Sequence, residues 1–214
     1  MTVLYAVLTV ILAYLLGSIS FAVVFSKLFI KGDVREMGSG NAGTTNMMRV
    51  GGFLPGALTF IFDALKGFVA CFIGKLVFSN LFESGDEWGI YGAFICGVAC
   101  MLGHVFPIFF QFKGGKGIAT SVGIFAVCCP IAIIIGLTVF AISVLTTKIV
   151  SLSSMIATVT VVSLTMIFYN HNALFWPQAV LAVVMGLIVV IKHTENIKRL
   201  INGTEKKLTI RRKK

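Results

Sequence analysis

Long apolar runs alternate with short polar islands along the whole chain. The runs are Val3 to Phe29, Leu54 to Leu81, Trp88 to Phe110, Ile118 to Leu145, Ile149 to Phe168 and Ala173 to Ile191. An α-helix needs about 20 apolar residues to cross a hydrocarbon core. Five runs meet that length clearly, and the sixth is long enough. Charge then sides the loops, because cytoplasmic loops carry the excess of Lys and Arg. The loop from Lys31 to Arg49 is basic, which places it inside and the N-terminus outside. The loop around Glu83, Asp86 and Glu87 is acidic and reads as external, whereas Lys113, Lys116 and the Lys-rich tail read as cytoplasmic.

Two cytoplasmic points, Lys116 and Lys192, require an even number of crossings between them, yet three runs intervene. The first carries Cys128-Cys129-Pro130. Proline breaks or kinks a helix, so dividing that run at Pro130 restores the parity. A single kinked helix would leave a different count. With the division, Lys148 lies inside and Asn170, His171 and Asn172 lie outside. The expectation is an all-α integral membrane protein of about seven transmembrane helices, N-terminus outside and C-terminus cytoplasmic. The fourth helix is short and must be shielded by protein or thin the bilayer. The chain reads as a single domain over residues 1–214, with 192–214 as a basic cytoplasmic tail. Gly89, Ala93 and Gly97, and Gly92, Cys96 and Cys100, recur at every fourth position. Small residues at that spacing let helix backbones approach closely.

Composition supports the bilayer as solvent. The chain is 57% hydrophobic and 12% charged, against about a quarter charged in soluble domains, and its mean hydropathy is +0.99. The net charge of +10 gathers toward the tail. That placement suits a topology signal and attraction to anionic headgroups better than nucleic acid, which is not expected as a partner. No Lys or Arg precedes the first apolar run, so a cleaved signal peptide is not expected. Cys71, Cys96, Cys100, Cys128 and Cys129 all fall in apolar segments and read as small buried hydrophobes. Cys96 and Cys100 share a helix face, but no nearby His or carboxylate completes a metal site. No metal and no cofactor is expected.

Three polar islands remain, at 33–49, 103–117 and 192–205, all on the predicted cytoplasmic side. They are rich in Gly, Asn, Ser, Thr, Arg, Lys and His, which suit anions: glycines let N–H groups crowd an oxyanion, helix N-termini add donors, and Arg matches a phosphate bidentately. Island one offers Gly38, Gly40 and Gly43, hydroxyls at Ser39, Thr44 and Thr45, amides at Asn41 and Asn46, and Arg49. Island two sets Gly114, Gly115 and Gly117 around Lys116, just before a helix. Island three puts His193 and Asn196 on one helix face. The G-x-G-x-x-G string from Gly38 to Gly43 is not a dinucleotide fingerprint, because no βαβ unit surrounds it. Gly115-Lys116 lacks the P-loop's first glycine and its Ser or Thr. The H-x4-D acyltransferase dyad is absent, since Phe109, Trp176 and Lys198 follow His104, His171 and His193 at that spacing. Asp63 and Lys66, near the inner end of the second helix, read as a structural pair in which Lys66 snorkels to the interface.

Taken in order, the islands resemble the bacterial acyl-phosphate-dependent glycerol-3-phosphate acyltransferases. The resemblance rests on Gly38-Ser-Gly-Asn-Ala-Gly-Thr-Thr-Asn46 with Arg49, on Gly103-His-Val-Phe-Pro107 with Gly114-Gly-Lys-Gly-Ile-Ala-Thr120, and on His193, Glu195, Asn196, Ile197, Arg199, Leu200, Gly203 and Glu205. It covers essentially the whole chain. Thr44 stands where that family usually has Ala. The resemblance implies transfer of an acyl group from acyl phosphate to the 1-hydroxyl of sn-glycerol 3-phosphate, giving lysophosphatidic acid and phosphate at the start of phospholipid synthesis. It also implies the bacterial cytoplasmic membrane as location, and membrane lipids as surroundings and product.

On that reading Lys116, His193 and Asn196 are catalytic. Ser39, Gly40, Asn41, Gly43, Thr44, Thr45, Asn46, Arg49, His104, Gly114, Gly115 and Gly117 bind substrate. The amides of Gly40 to Thr45 would cradle the acyl phosphate. His193 serves as the base or only positions a substrate whose own phosphate takes the proton, and His104 orients the second loop rather than reacting. Glu205 reads as a partner for basic residues of the tail. A transporter for a small phosphorylated anion would share the cationic pocket, but would line a path near the bilayer midplane. A non-catalytic scaffold gives no reason for three glycine-rich islands.

Overall fold

The computed structural model describes residues 1–82, 85–169 and 175–208. Helices α1 (Thr2–Gly17), α2 (Phe21–Ile30), α3 (Thr44–Gly51), α4 (Phe53–Leu81), α5 (Gly85–Val105), α6 (Ile118–Cys128), α7 (Pro130–Thr147), α8 (Val150–Tyr169), α9 (Phe175–Lys192) and α10 (Thr194–Ile201) follow in order. Among the described residues, five helical stretches are long and apolar enough to cross a membrane, or six if α9 and α10, bent by 58°, count as one broken span. The expected short fourth helix, α6, has eleven residues. It rises about 17 Å, roughly half of a ~30 Å core. The expected outer loops around Glu83 and at Asn170, His171 and Asn172, and the end of the basic tail, lie outside the described residues.

Two breaks divide what the apolar pattern runs together. The stretch expected as one helix from Val3 to Phe29 is interrupted at Ser18–Ser20, where Ser20 adopts φ −90°, ψ 96°. Between Ile118 and Leu145 the chain breaks at Cys129, and Pro130 opens α7. There its missing N–H costs nothing. Gln178 of α9 donates to the freed Cys128 carbonyl at 3.3 Å.

Helix α4 is the hub, packing against α1, α2, α3, α5 and α6. Its backbone lies close to α5: a Cβ on Gly74 or on Gly92 would strike the other's carbonyl oxygen. Lipid offers no hydrophobic force between helices, so such close van der Waals contact does the packing. Helix α8 packs between α7 and α9, and α9 leans on α5 and α6. The core between α5, α6 and α9 includes Met101, Ile124, Phe125, Leu181 and Met185.

Charge is also buried between these helices. Lys66 Nζ lies 2.7 Å from Asp63 Oδ1, with both side chains almost fully enclosed. Lys66 does not snorkel as expected. It turns inward and donates to the Ile19 carbonyl at 2.7 Å, the carbonyl exposed by the break after α1. His104 Nδ1 sits 3.6 Å from Asp63 Oδ1, too far for a hydrogen bond but close enough to feel its charge. Removing one partner of such a pair leaves a buried charge unpaired. Lys66→Met should therefore destabilise the protein by about 3–5 kcal/mol, whereas Asp63→Leu with Lys66→Met should be near neutral. Thermal unfolding in detergent checks this, and a double variant as unstable as the single one would refute the pairing.

Candidate active site

Three loops converge at the end of the bundle that carries Lys31, Lys116, Lys148 and Lys192. Island one is knitted from within. Asp33 accepts from the Arg35 N–H at 2.9 Å, opening a short 3-10 turn, and clamps the Arg35 guanidinium at 2.7 Å. Arg35 reaches across to the Phe110 carbonyl at 3.2 Å and lies over the Phe110 ring. That contact ties island one to island two.

Asn46 is 2% exposed. Its Nδ2 donates to the Val34 and Met37 carbonyls, and its Oδ1 accepts from the Ser39 N–H. Its amide is thus occupied inside the loop, where it holds the turn together. The N–H groups of Gly40 and Gly43 are likewise taken, by the Met37 and Asn41 carbonyls at 3.0 Å each. What remains for an anion is the start of α3. Gly43 is its N-cap without a side-chain bond, and the N–H groups of its first turn, which begins with Thr44 and Thr45, have no partner within the helix. Ser39 and Asn41 lie on the outer side of the same turn, exposed and half-buried.

Island two folds back onto α5. Gly115 donates to the His104 carbonyl at 3.2 Å, so that N–H is not free for an anion either. A Cβ on Gly114 would strike the His104 carbonyl, and one on Gly115 would strike the His104 ring and lie 2.7 Å from the Ala42 carbonyl of island one. These two glycines are required by close packing of backbone on backbone. Gly117 takes φ +86° as the N-cap of α6, a region that suits glycine. His104, 6% exposed, lies beneath this loop rather than at its surface.

Lys116 is presented above it. Its ammonium donates to Asn196 Oδ1 of island three, and Asn196 Nδ2 donates to Glu205 at 2.6 Å. Glu205 is the centre of the group, because Ser151 and Arg199 also donate to it, at 2.6 and 2.7 Å. Arg49 joins from α3 by donating to the Lys206 carbonyl at 3.3 Å. Its Nε is buried without a hydrogen-bond partner, as is the Thr44 hydroxyl. His193 stands at the bend between α9 and α10 with Nδ1 2.8 Å from the Val189 carbonyl. A carbonyl partner makes Nδ1 the protonated nitrogen, which leaves Nε2 as an acceptor. The structure thus brings together Arg49, Lys116, His193 and Asn196 of the expected residues, and adds Ser151 and Arg199. Ser151 lay in an apolar run with no motif around it, so nothing in the sequence marked it.

Electrostatics follow from this crowding. Burial pushes the Lys116 ammonium down to about 8, with Glu205 opposing and Arg199, Arg49 and Lys192 adding to the push. For Glu205, burial works to raise the carboxyl, but hydrogen bonds from Ser151, Arg199 and Asn196 win and hold it below the usual carboxylate range. Three cations, Arg49, Lys116 and Arg199, thus face one carboxylate, which leaves a surplus of positive charge for an anion.

The chain matches the family described as glycerol-3-phosphate acyltransferase over residues 7–203. It belongs to that family. Glycerol-3-phosphate acyltransferase 2 of Bacillus anthracis is 40% identical, covering 94% of this chain and 98% of the relative. A glycerol-3-phosphate acyltransferase of Thermoanaerobacter sp. (strain X514) is 42% identical over 96% of both chains. The crystal structure of PlsY, an integral membrane glycerol 3-phosphate acyltransferase in its glycerol 3-phosphate form, aligns with a TM-score of 0.84 at 36% identity, over 95% of this chain and 96% of that one. The lysophosphatidic acid form of PlsY aligns with a TM-score of 0.80. The glycerol-3-phosphate acyltransferase family expected from the three islands, and the helical membrane fold expected from the apolar runs, are therefore both found.

Lys116 should titrate well below an ordinary lysine. Labelling of Lys116 by an amine-reactive probe, read by mass spectrometry, should rise with a midpoint near pH 8, since the neutral amine reacts. Glu205→Gln removes the opposing negative charge and should move that midpoint lower. A midpoint unmoved near 10 would refute the burial of this ammonium among other cations.

Proposed function

We propose that this protein transfers an acyl group from acyl phosphate to the 1-hydroxyl of sn-glycerol 3-phosphate, releasing 1-acyl-glycerol 3-phosphate and inorganic phosphate. The observation that carries the reading is the cluster of Arg49, Lys116 and Arg199 around Glu205, beside His193 and the open N-terminus of α3. Both substrates bear a phosphate, so two anionic groups must be held at once. Arg49 and Lys116 hold the phosphate of glycerol 3-phosphate, and the first turn of α3, with Ser39, Asn41, Thr44 and Thr45, receives the acyl phosphate. Asn196 holds the Lys116 ammonium in place.

The acceptor hydroxyl is directed at the carbonyl carbon by His193 Nε2. Its oxygen forms the new ester bond, the bond from the carbonyl carbon to the phosphate oxygen breaks, and the proton ends on the released phosphate. Acyl phosphate is already activated, so no covalent nucleophile is needed. Alignment of two bound reactants can supply about 7–11 kcal/mol. The Lys116 cation and the helix N–H groups oppose the charge that grows on the carbonyl oxygen and the leaving phosphate.

The remaining expectations stand as part of the same proposal. The chain is one domain over residues 1–214, with seven crossings if α6 is counted, in a bacterial cytoplasmic membrane. Basic residues at the site's end of the bundle support a cytoplasmic active site and an external N-terminus. The acyl tail stays in apolar surroundings while its head reaches the site.

Purified protein given hexadecanoyl phosphate and labelled glycerol 3-phosphate should form lysophosphatidic acid, and hexadecanoyl-CoA should not replace the donor. Arg49→Ala or Lys116→Ala should lower kcat/KM by about 10²-fold or more without loss of fold. No product from folded protein with either donor would make transport of a phosphorylated anion the better reading. His193→Gln should lower kcat by about 10²-fold or more if the imidazole takes the proton. Near-normal kcat and KM in that variant would assign the proton to the substrate's own phosphate.

A further inference from the structure

We propose that Asp63 is a positioning residue for acyl transfer: through the His104 ring it holds the loop that presents Lys116. The inference rests on the acyl-transfer reading above and extends it to a residue buried beneath the site. Asp63 lies on α4, 1% exposed, and pairs with Lys66 at 2.7 Å. Its contacts do not end there. Asp63 Oδ1 also faces His104 Nδ1 at 3.6 Å, and that nitrogen is buried with no hydrogen-bond partner.

The His104 ring stands between the carboxylate and the loop. One edge, with Nδ1, turns to Asp63. The other edge, with Nε2, lies against Gly115, where an added Cβ would strike it. The two limbs of the loop are held differently. The outgoing limb is tied to α1: the Tyr14 hydroxyl donates to the Phe106 carbonyl at 2.8 Å, and the Ile108 N–H donates to Ser18 Oγ at 3.4 Å. The returning limb rests on His104, whose carbonyl takes the Gly115 N–H at 3.2 Å and whose ring packs under the same residue. Lys116 is the next residue, and its ammonium reaches across to Asn196. A displacement of Gly115 is therefore passed to the cation that the reading above sets on the substrate phosphate.

Charge orients the ring. The χ2 torsion of histidine is broad, so packing alone holds the ring loosely. A buried N–H without a partner is costly, and attraction to a carboxylate is strong in apolar surroundings. Asp63 thus selects the setting in which Nδ1 turns toward it. Without that attraction the ring is free to turn, and Gly115 loses a fixed support. A misplacement of about 1 Å can cost on the order of 10²-fold in rate.

The test uses the full-length protein in detergent with Asp63→Leu and Lys66→Met combined. The two changes cancel in charge, so a shift at Lys116 reports its position and not a lost neighbouring charge. A pair that served the fold alone would leave this variant, if stable, with wild-type activity. Instead, kcat/KM for glycerol 3-phosphate should fall about ten-fold or more. The Lys116 labelling midpoint should rise from near 8 as the loop loosens and the ammonium gains water, with Glu205, Arg199, Arg49 and Lys192 still around it. His104→Phe keeps an aromatic ring under Gly115 and leaves Asp63 paired with Lys66, and it should show the same two changes. All three substitutions together should lower kcat/KM no further, because residues that act through one another are not additive. Full additivity overturns the proposal, as does wild-type kcat/KM and midpoint in either folded variant. If the combined variant does not fold, Asp63→Asn, which keeps an acceptor for Lys66, takes its place in the same cycle. Labelling needs no turnover. If no acyl donor supports transfer, the acyl-transfer reading fails, and the midpoints still decide whether Asp63 and His104 hold the loop.

Discussion

The ion pair of Asp63 and Lys66, 2.7 Å apart and enclosed within a membrane helix, sets terms for much of what surrounds it. A charge inside a bilayer span costs several kcal/mol unless it is partnered. The partners available here fix three helices. Lys66 needs a further acceptor and finds it at Ile19, a carbonyl that exists as an acceptor because the first span breaks at Ser18–Ser20. His104 of α5 completes the approach to Asp63, and its backbone carbonyl takes the Gly115 N–H. The loop that presents Lys116 is thus footed on α5 at the residue facing the buried pair. The buried charge pair and the cation at the site's end of the bundle are connected by consecutive contacts rather than by proximity in sequence.

At that end the problem is reversed. Several cations must be held close together so that an anion finds them already in place. Burial opposes this first and mutual repulsion adds to it, and both push the Lys116 ammonium down. Glu205 reduces the repulsion. One carboxylate, bonded by Ser151, Asn196 and Arg199, gathers α8, α10 and the tail, and its charge offsets part of the repulsion among Arg49, Lys116 and Arg199. An arriving phosphate brings the remaining compensation, which favours binding without any movement of the scaffold.

Glycines serve these loops differently from a phosphate-binding nest. Gly114 and Gly115 allow α5 and island one to come within contact of island two, and the N–H groups of Gly40, Gly43 and Gly115 are spent inside the protein. The donors left for ligand are the start of α3 and side chains held by their neighbours.

Much of this was legible in the sequence. Apolar length and loop charge predicted a helical membrane protein, and Pro130 predicted the break before α7, because proline acts locally on the backbone. The three islands pointed to anion chemistry and to the family, since residue type alone carries donor capacity and charge. The structure turns the Asn46 amide and the Gly115 N–H to partners inside the protein, which the sequence could not show, because the same Asn or Gly serves a ligand or the chain itself depending on what lies opposite. The break after α1, the inward turn of Lys66 and the contribution of Ser151 left no periodic or compositional trace. Each depends on a partner dozens of residues away in the chain. Local chemistry and hydrophobic length are written residue by residue, and the sequence by itself determined those. Which buried polar groups satisfy one another was decided only in the tertiary structure, because in an apolar medium each must find a partner, and the partner's distance is set by helix packing.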